Sequence, residues 1–375
     1  MEMFQLLKAM VDQDASDLFL SAGAPPNLKI EGATRPLPLP PLKPGEAKAL
    51  AYSVMNERQM RQFEDTLESN LSISAEGIGR FRINAYVQKG EVSMVVRYIK
   101  SRIPGFAELN LPAVLGELVM LKRGLLLIVG SAGSGKSTTM ASMLDYRNRR
   151  ATGHILTIED PIEFLHAHAM SIVDQREIGI DTHSFGEALR NAMREAPDVI
   201  VIGEIRDRET MQHAIAYAET GHLCLSTLHA SNANQALERV INFFPEEAHK
   251  QLFMDMALNL KGVISQRLVP GLAQKLVPAF EILLASPYLA DLMQKGRVDE
   301  IKAVMAKSTE QGMRTFDQSL YDLYMDRKIS LEEALRHADS KTDLALRVRL
   351  SIGRNADDAP DIGLKDWKKG IGRDG

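Results

Sequence analysis

The chain has 375 residues, 45% of them hydrophobic and 25% charged, a composition typical of a soluble globular protein with more than one domain. Its net charge of −4 argues against a protein that coats nucleic acid, and its apolar runs are too short to span a membrane. The single cysteine, Cys224, excludes an intrachain disulfide and a four-cysteine metal cluster, and the N-terminus lacks the pattern of a secretion signal, so a cytoplasmic location is expected.

The N-terminal region, residues 1–100, is predicted to form a small domain. Residues 79–88 alternate between apolar and polar side chains, which is typical of a half-buried strand. One face of this strand is therefore expected to be basic. The apolar positions are Phe81, Ile83, Ala85 and Val87, and the polar positions are Arg80, Arg82 and Asn84.

The motif QKGE at 88–91 predicts a hairpin turn between this strand and the return strand VSMVVRYI. If Lys89 and Gly90 are the two turn residues, Arg82 lies directly opposite Arg97. Like charges at opposed positions destabilise a hairpin, and a slip of one residue would remove the opposition.

Residues 101–112 are predicted to be a linker, after which strands alternate with helical segments. Such alternation predicts a parallel sheet with helices on both faces, here within residues 113–350. From about residue 245 the chain is predicted to be largely helical, and residues 351–375 are predicted to form a polar tail. The clear strands are predicted at 124–130, 154–159, 198–203 and 222–228.

The sequence GSAGSGKST at 130–138 lies between a predicted strand and a predicted helix, which is the context of a phosphate-binding loop. Its glycines allow backbone N–H groups to surround phosphate oxygens, and the helix directs its positive end at the same anion. Lys136 is expected to reach the β and γ phosphates of ATP, and the Ser137 hydroxyl to ligate Mg²⁺. The residues predicted to bind the nucleotide here are Gly130, Ser131, Ala132, Gly133, Ser134, Gly135, Lys136, Ser137 and Thr138.

Three further predicted strands end in polar residues at the same edge of the sheet. DVIVIGEIRD ends in Glu204, where nucleotide-hydrolysing enzymes commonly carry Asp. The longer side chain is suited to act through a metal-bound water or to orient the attacking water. The other two strand ends carry Glu159, Asp160 and Glu163 in ILTIEDPIEF, and His222 and His229 in TGHLCLSTLHA.

In these four stretches the sequence resembles the secretion ATPase superfamily, whose members power type II secretion and type IV pili. The marks of that family are a phosphate loop, an Asp box, a Walker B strand that ends in Gly-Glu and a His box. The resemblance is strongest to the PilT-like retraction branch and, within it, to the PilU paralogues. It extends to stretches at 16–26, 79–88, 230–245 and 316–324.

The resemblance implies a fold and a mechanism. The fold is α/β, with a RecA-like P-loop ATPase domain and a smaller N-terminal PAS-like α+β domain, and ATP binds between the two domains in a homo-hexamer. Glu163 is implied to be the general base for the attacking water, and Glu204 the carboxylate of the Mg²⁺ site. His229 is implied to sense the γ-phosphate, with His222 nearby.

Arg82 and Arg97 correspond in this resemblance to arginine fingers, with Arg80 as a third candidate. The hairpin register agrees with this role, because an anion beside two opposed cations offsets their repulsion. Such fingers contribute roughly a thousandfold or more to the rate of phosphoryl transfer. The alternative interpretation is that these arginines are solvated surface residues.

The charged residues that follow Glu204 form a second cluster. Arg206, Asp207 and Arg208 come directly after the strand end. A ring-forming enzyme needs polar contacts between neighbouring subunits, so we interpret these three residues as candidates for such contacts.

One segment departs from the pattern of retraction motors. A segment similar to AIRxL is expected after the strand that ends in EIL, whereas this chain has SPYLADLM at 286–293, with Asp291 in place of basic character. This departure favours an accessory motor that works beside a primary PilT-like retraction ATPase. Its other expected partner is the inner-membrane platform protein of the pilus, which would hold it at the cytoplasmic surface of that membrane.

Three alternatives remain at this level. Pilus-extension relatives usually carry a four-cysteine metal module, and a chain with one cysteine cannot form it. A nucleotide-gated structural subunit with little hydrolysis would be expected to have lost Lys136, Glu163 or Glu204, and all three are present. A nucleic-acid translocase would be expected to show a basic channel, which the net charge of −4 disfavours.

Overall fold

The fold contains two separate β-sheets joined by a stretch without regular helix or strand at 101–112. The domain boundaries drawn from the sequence agree with this layout but stay a prediction. The predicted tail lies outside the described residues from residue 353 onward. The computed structural model describes residues 2–99, 101–309 and 312–352.

The first sheet has six antiparallel strands in the order β3-β2-β1-β6-β5-β4, and three helices contribute to the apolar core on one of its faces. That core forms because apolar residues alternate with polar ones along the strands. The strands are β1 (Asp17–Ser21), β2 (Asn27–Ile30), β3 (Ala33–Pro36), β4 (Glu68–Ala75), β5 (Gly79–Gln88) and β6 (Glu91–Ile99). The helices are α1 (Met3–Asp12), α2 (Glu46–Tyr52) and α3 (Glu57–Thr66).

The hairpin of β5 and β6 has the predicted register, with Arg82 directly opposite Arg97. Lys89 and Gly90 have φ angles of +50° and +78°. A two-residue turn of this kind requires positive φ at both positions, and its twist matches that of the flanking strands. The turn therefore fixes the arginines on the same face of the sheet.

The second sheet has seven strands in the order β13-β12-β7-β11-β10-β8-β9, and all neighbours except β12 and β13 are parallel. Apolar residues of both parities are buried along its central strands, so helices cover both faces, as predicted. The strands are β7 (Gly124–Val129), β8 (Gly153–Glu159), β9 (Ser171–Glu177), β10 (Val199–Ile202), β11 (Leu223–Leu228), β12 (Leu260–Pro270) and β13 (Leu276–Leu284).

Eleven α-helices accompany this sheet within the described residues, and none of them is both long and apolar enough to cross a bilayer. The last three pack against β12 and β13 around Phe316 and Leu320. The helices are α4 (Ala113–Val119), α5 (Lys136–Asn148), α6 (Phe185–Ala192), α7 (Arg208–Glu219), α8 (Ala233–Asn242), α9 (Glu246–Asn259), α10 (Pro287–Gln294), α11 (Ile301–Lys307), α12 (Phe316–Met325), α13 (Leu331–His337) and α14 (Lys341–Ile352).

The prediction that the chain is largely helical from about residue 245 is wrong for β12 and β13. These strands form a long antiparallel pair that extends the sheet beyond β7. Their inner residues are buried on both faces, so the alternation that marks a half-buried strand is absent. The predicted fold class, a parallel α/β sheet with a smaller N-terminal domain, is nevertheless confirmed.

Candidate active site

Four parallel strands of the second sheet, β7, β8, β10 and β11, end at the same edge and border one cavity. Its volume is about 560 Å³, which is within the range of small-ligand sites. Parallel neighbours bring their carboxyl ends together, so loops that are distant in sequence meet there. The predicted residues that line the cavity are Ala132, Gly133, Gly135, Lys136, Ser137, Thr138, Glu159, Glu163, Glu204 and His229.

The phosphate loop joins β7 to α5 and has a conformation that requires glycine. Gly133 and Gly135 have φ angles of +74° and +87°, a region in which other residues are strained. A side chain at Gly130 would collide with the Ser134 hydroxyl, so this glycine permits the loop to close tightly. Ser131 and Ser134 line a second cavity of about 350 Å³ behind the loop and do not line the main one.

Lys136 is held inside the phosphate loop at the start of α5. Its Nζ donates to the carbonyl oxygens of Gly130 and Ser131 over 2.8 and 2.9 Å. Burial lowers the pKa of Lys136, whereas the nearby carboxylates of Glu204 and Glu163 raise it. The ammonium group therefore lies where the charge of a bound phosphate would be neutralised.

Glu204 follows β10, and basic side chains hold its carboxylate on both sides. Nε of Arg206 donates to Oε2 over 2.8 Å, and Nε2 of His229 lies 3.3 Å from Oε1. The preceding Gly203 lets β10 approach β8, since a Cβ there would lie 3.2 Å from Cα of Glu159. Close strand packing and the contacts with Arg206 and His229 thus fix the carboxylate at the cavity.

The charged segment after Glu204 has partners within its own chain. Arg206 lines the cavity and contacts Glu204, and the carboxylate of Asp207 caps α7 by accepting from the Thr210 amide over 2.8 Å. The Arg208 guanidinium lies 5.5 Å from the centre of an aromatic ring. These contacts explain the charges without a neighbouring subunit, and the predicted role between subunits stays a hypothesis.

Glu159 and Glu163 border the same cavity but differ in environment. The Oε1 of Glu159 accepts hydrogen bonds from the Thr157 hydroxyl over 2.7 Å and from the Gln175 side-chain amide over 3.2 Å. Burial raises the pKa of Glu159. Glu163 is exposed to the cavity, and its charge acts on Lys136. Glu159 is thus a structural anchor of the β8 end, and Glu163 is the carboxylate free to meet a ligand.

An ATP site also implies Mg²⁺, and the donors that line the cavity fit that ion. Mg²⁺ prefers oxygen ligands and is commonly held by one or two protein groups together with phosphates and water. The Ser137 hydroxyl and the Glu204 carboxylate line the cavity together. When bound, the ion neutralises charge that develops on the phosphates. Among the described residues, no group of three or more His, Cys, Asp or Glu side chains could hold a metal by itself.

The arginines of the first sheet lie in a row of paired residues that crosses four strands. The row runs from Ser72 on β4 through Arg82 and Arg97 to Asp17 on β1. Nε of Arg97 donates to Oδ1 of Asp17 over 2.8 Å. A carboxylate of the chain itself therefore offsets part of the repulsion between the two opposed arginines.

The side of the first sheet that carries Arg80, Arg82 and Arg97 is called the arginine face here. It contacts the second sheet at Glu177, at the end of β9. Nη2 of Arg80 lies 3.9 Å from Oε2 of Glu177, and the Ser72 hydroxyl lies 3.4 Å from the same oxygen. Burial raises the pKa of Glu177, whereas Arg82 and Arg80 lower it. Glu177 is the strand neighbour of Glu159. The structure thus places the arginines beside the cavity and not among the residues that line it.

The expectation that His222 lies near His229 is wrong within one chain. The two histidines flank β11 at its opposite ends, and a strand of 6 residues separates them by about 20 Å. Nδ1 of His222 lies 3.1 Å from the Thr220 hydroxyl and 3.2 Å from the Tyr217 carbonyl oxygen. His222 therefore belongs to the amino-terminal edge of the sheet, away from the cavity.

Two basic residues that line the cavity, Arg206 and His166, were not predicted as site residues. Arg206 was read as a contact between subunits, although its spacing of two from Glu204 is the signal that both side chains leave the strand end on the same side. His166 lies in the loop after Glu163. That loop has no periodicity, so the sequence gives no indication of where the His166 ring points.

His166 is expected to make the stability of the protein depend on pH. Burial lowers the pKa of His166 to about 4, below its ordinary value, so the unfolded chain binds a proton more readily. Stability is therefore lost as the pH falls from about 6.5 towards 4, by roughly 3 kcal/mol in the free energy of unfolding. We expect His166→Phe to flatten the pH dependence of the unfolding free energy, measured by denaturant titration without nucleotide. His183→Gln, a change at an exposed histidine, is the control, and an equally flat profile for both variants would contradict this role.

The model of the type II/IV secretion system protein family matches residues 6–314 of the chain. The chain belongs to this family. The resemblance inferred from the four strand-end motifs is thereby confirmed. The matched residues include both sheets, from β1 to β13.

Within the type II/IV secretion system family, the chain is similar to pilus ATPases over nearly its full length. It is 53% identical over 360 residues to the type IV pilus ATPase PilU of Pseudomonas aeruginosa, covering 95% of this chain and 94% of PilU. It is 41% identical over 338 residues to PilT of the same organism, covering 90% of this chain and 98% of PilT. A crystal structure of the pilus retraction motor PilT with bound ADP matches with a TM-score of 0.86 and 40% identity, covering 92% of this chain and 98% of that one.

This family member carries an ordinary surface helix at the segment that departs from the retraction motors. The Ser286 hydroxyl caps α10 by accepting from the Leu289 amide over 3.2 Å. Asp291 accepts from Nζ of Lys295 over 2.7 Å, and both side chains are about half exposed. The helix therefore forms with an acidic side chain at its surface, in the segment where a basic one is expected in retraction motors.

Proposed function

We propose that this chain is an ATP-hydrolysing motor of type IV pilus retraction and twitching motility. One observation carries the proposal. Lys136, Glu163, Glu204 and His229 come from four different strand ends and meet in one cavity beside a phosphate loop. The similar proteins PilU and PilT are both named as type IV pilus ATPases, which supports the pilus as the load of this motor.

The side chains divide the chemistry among them. Lys136 and the N-terminus of α5 neutralise the phosphates, and Ser137 and Glu204 would hold Mg²⁺, which would neutralise further phosphate charge. Glu163 is exposed at the cavity and accepts the proton of the attacking water. His229 is the sensor of the γ-phosphate. Its Nε2 lies 3.3 Å from Oε1 of Glu204, so a change in the position of His229 also changes the surroundings of that carboxylate.

The assembled form that we propose is a homo-hexamer with ATP between the two domains. Support for the clamp comes from the arginine face, which already lies beside the cavity at Glu177. Arg82 and Arg97, with Arg80, act as the fingers that complete the site when the first domain closes on the nucleotide. Domain closure and release of this kind are a usual source of a mechanical stroke.

The motor is proposed to be accessory to a primary PilT-like retraction ATPase. The segment at α10 supports this, because it presents Asp291 where retraction motors carry basic character. The site of action is the cytoplasmic surface of the inner membrane, at the pilus platform protein. Deleting the gene with and without the primary motor, and recording surface motility, tests the proposal. Full retraction by this protein alone would show that it is an independent motor.

Replacing the proposed general base tests hydrolysis itself. We expect Glu163→Gln to lower kcat for phosphate release about a hundredfold while nucleotide affinity stays close to that of the wild type, because the carboxamide cannot accept the proton. Glu247→Gln, a change at an exposed glutamate on α9, is the matched control. Wild-type turnover that is no faster than that of Glu163→Gln would favour the alternative, a nucleotide-gated structural subunit.

A further inference from the structure

We propose that Glu177 is a positioning residue that holds Arg80 and Arg82 in the place of a phosphate, and that the nucleotide competes with it for these arginines. The inference rests on the proposed function, because it assumes that the arginine face engages ATP. It adds a residue outside the phosphate loop and the strand ends that border the cavity. In this account, the arginines exchange the Glu177 carboxylate for a phosphate of the nucleotide when the domains close.

The first support is the set of groups that converge on this carboxylate. Glu177 is 2% exposed, and Arg80 and the Ser72 hydroxyl approach it from the first sheet. From the second domain, the backbone of Ile162, in the loop after β8, approaches it and lowers its pKa. Ile162 directly precedes Glu163, so one carboxylate contacts both the arginine face and the loop of the proposed general base.

A second support comes from an unpaired donor on the arginine face. Nε of Arg80 is buried and finds no acceptor among the described residues, and its Nη2 lies 3.9 Å from Glu177, beyond ordinary hydrogen-bond distance. Buried donors in native proteins are nearly always paired. A site with donors left over and one loosely held carboxylate is suited to exchange that carboxylate for a phosphate with more oxygens.

The two acids beside the arginine face behave differently when the domains move. Asp17 belongs to the first sheet and stays with Arg97. Glu177 belongs to the second sheet, so a movement of the first domain relative to the second changes its distance from Arg80. Exchange of Glu177 for a phosphate therefore breaks the contact with Arg80 and keeps the contact between Asp17 and Arg97.

Glu177→Gln tests the competition directly. The amide keeps the size of the side chain and an acceptor oxygen for Ile162 and Ser72, and it removes the charge that attracts the arginines. We expect the variant to bind a non-hydrolysable ATP analogue with Mg²⁺ about five- to tenfold more tightly than the wild type, measured by calorimetry. Glu195→Gln, which breaks the 2.6 Å ion pair with Arg176 inside the second domain, should leave the affinity unchanged.

A second pair of variants separates competition from a purely structural role. In an Arg80→Gln, Arg82→Gln background, Glu177→Gln should no longer change the affinity, because the competing partners are gone. Unchanged or weaker binding by Glu177→Gln, or the same gain without the arginines, would overturn the inference. Should Glu177→Gln fail to fold by circular dichroism, Glu177→Met carries the same expectation. If the wild type itself did not bind the analogue, that result would instead contradict the proposed function.

Discussion

Lys136→Ala is expected to lower ATP turnover by about three orders of magnitude. The Lys136 ammonium group is the only lysine nitrogen that lines the cavity within the described residues, and two loop carbonyls hold it in place. Its removal takes away the cation of the phosphate loop, so the charge of a bound phosphate is no longer neutralised there and the nearby carboxylates of Glu204 and Glu163 repel it. We expect both nucleotide affinity and kcat to fall, measured by analogue binding and by phosphate release.

The control for this variant is Lys122→Ala, which removes an exposed lysine just before β7. Turnover should then match the wild type. ATP with Mg²⁺ should raise the melting temperature of the wild type and of Lys122→Ala but not of Lys136→Ala. The reason is that ATP stabilises the folded state only of a protein that binds it. A Lys136→Ala protein that is folded and still turns over ATP at the wild-type rate would remove the phosphate loop from the mechanism.

Glu204→Gln is expected to lower kcat by about three orders of magnitude with a smaller effect on nucleotide affinity. The substitution removes the negative charge that interacts with Arg206 and would interact with Mg²⁺, and it changes the contact with His229. The shape of the side chain is preserved, so the strand end and the contact made possible by Gly203 should remain. Steady-state phosphate release at several Mg²⁺ concentrations measures both parameters.

Glu209→Gln is the matched control for Glu204→Gln. Glu209 is exposed on α7, lies 3.6 Å from Arg190 and does not line the cavity. If the control lost as much activity as Glu204→Gln, the effect would reflect a general change of surface charge. If Glu204→Gln and the wild type were saturated at the same Mg²⁺ concentration, Glu204 would not be a ligand of the metal.

Local rules predicted the parts of the fold and site that depend on neighbouring residues. The opposition of Arg82 and Arg97 followed from a two-residue turn, because the turn fixes the pairing of every residue along the hairpin. The convergence of Lys136 and Glu204 followed from parallel strands, whose carboxyl ends must share one edge. Both predictions used geometry that the sequence determines over short distances.

The predictions that were wrong or absent depended on distant contacts. The inner residues of β12 and β13, at 262–266 and 279–283, are buried on both faces, so these strands lack alternation and resemble helix in a single sequence. His222 and His229 share a motif, but a strand between them puts them at opposite edges. The contact of Arg80 with Glu177 joins residues about a hundred positions apart, and no local pattern indicates such a pair.

The most direct test of the account is a crystal structure of the protein with a non-hydrolysable ATP analogue and Mg²⁺. The account predicts the triphosphate in the cavity between the phosphate loop and Glu204, with Lys136 on its β and γ phosphates and Glu163 facing the γ-phosphate. It also predicts that Arg80 or Arg82 has left Glu177 for a phosphate oxygen. An analogue bound elsewhere, or a cavity that stays empty at saturating analogue, would contradict the account.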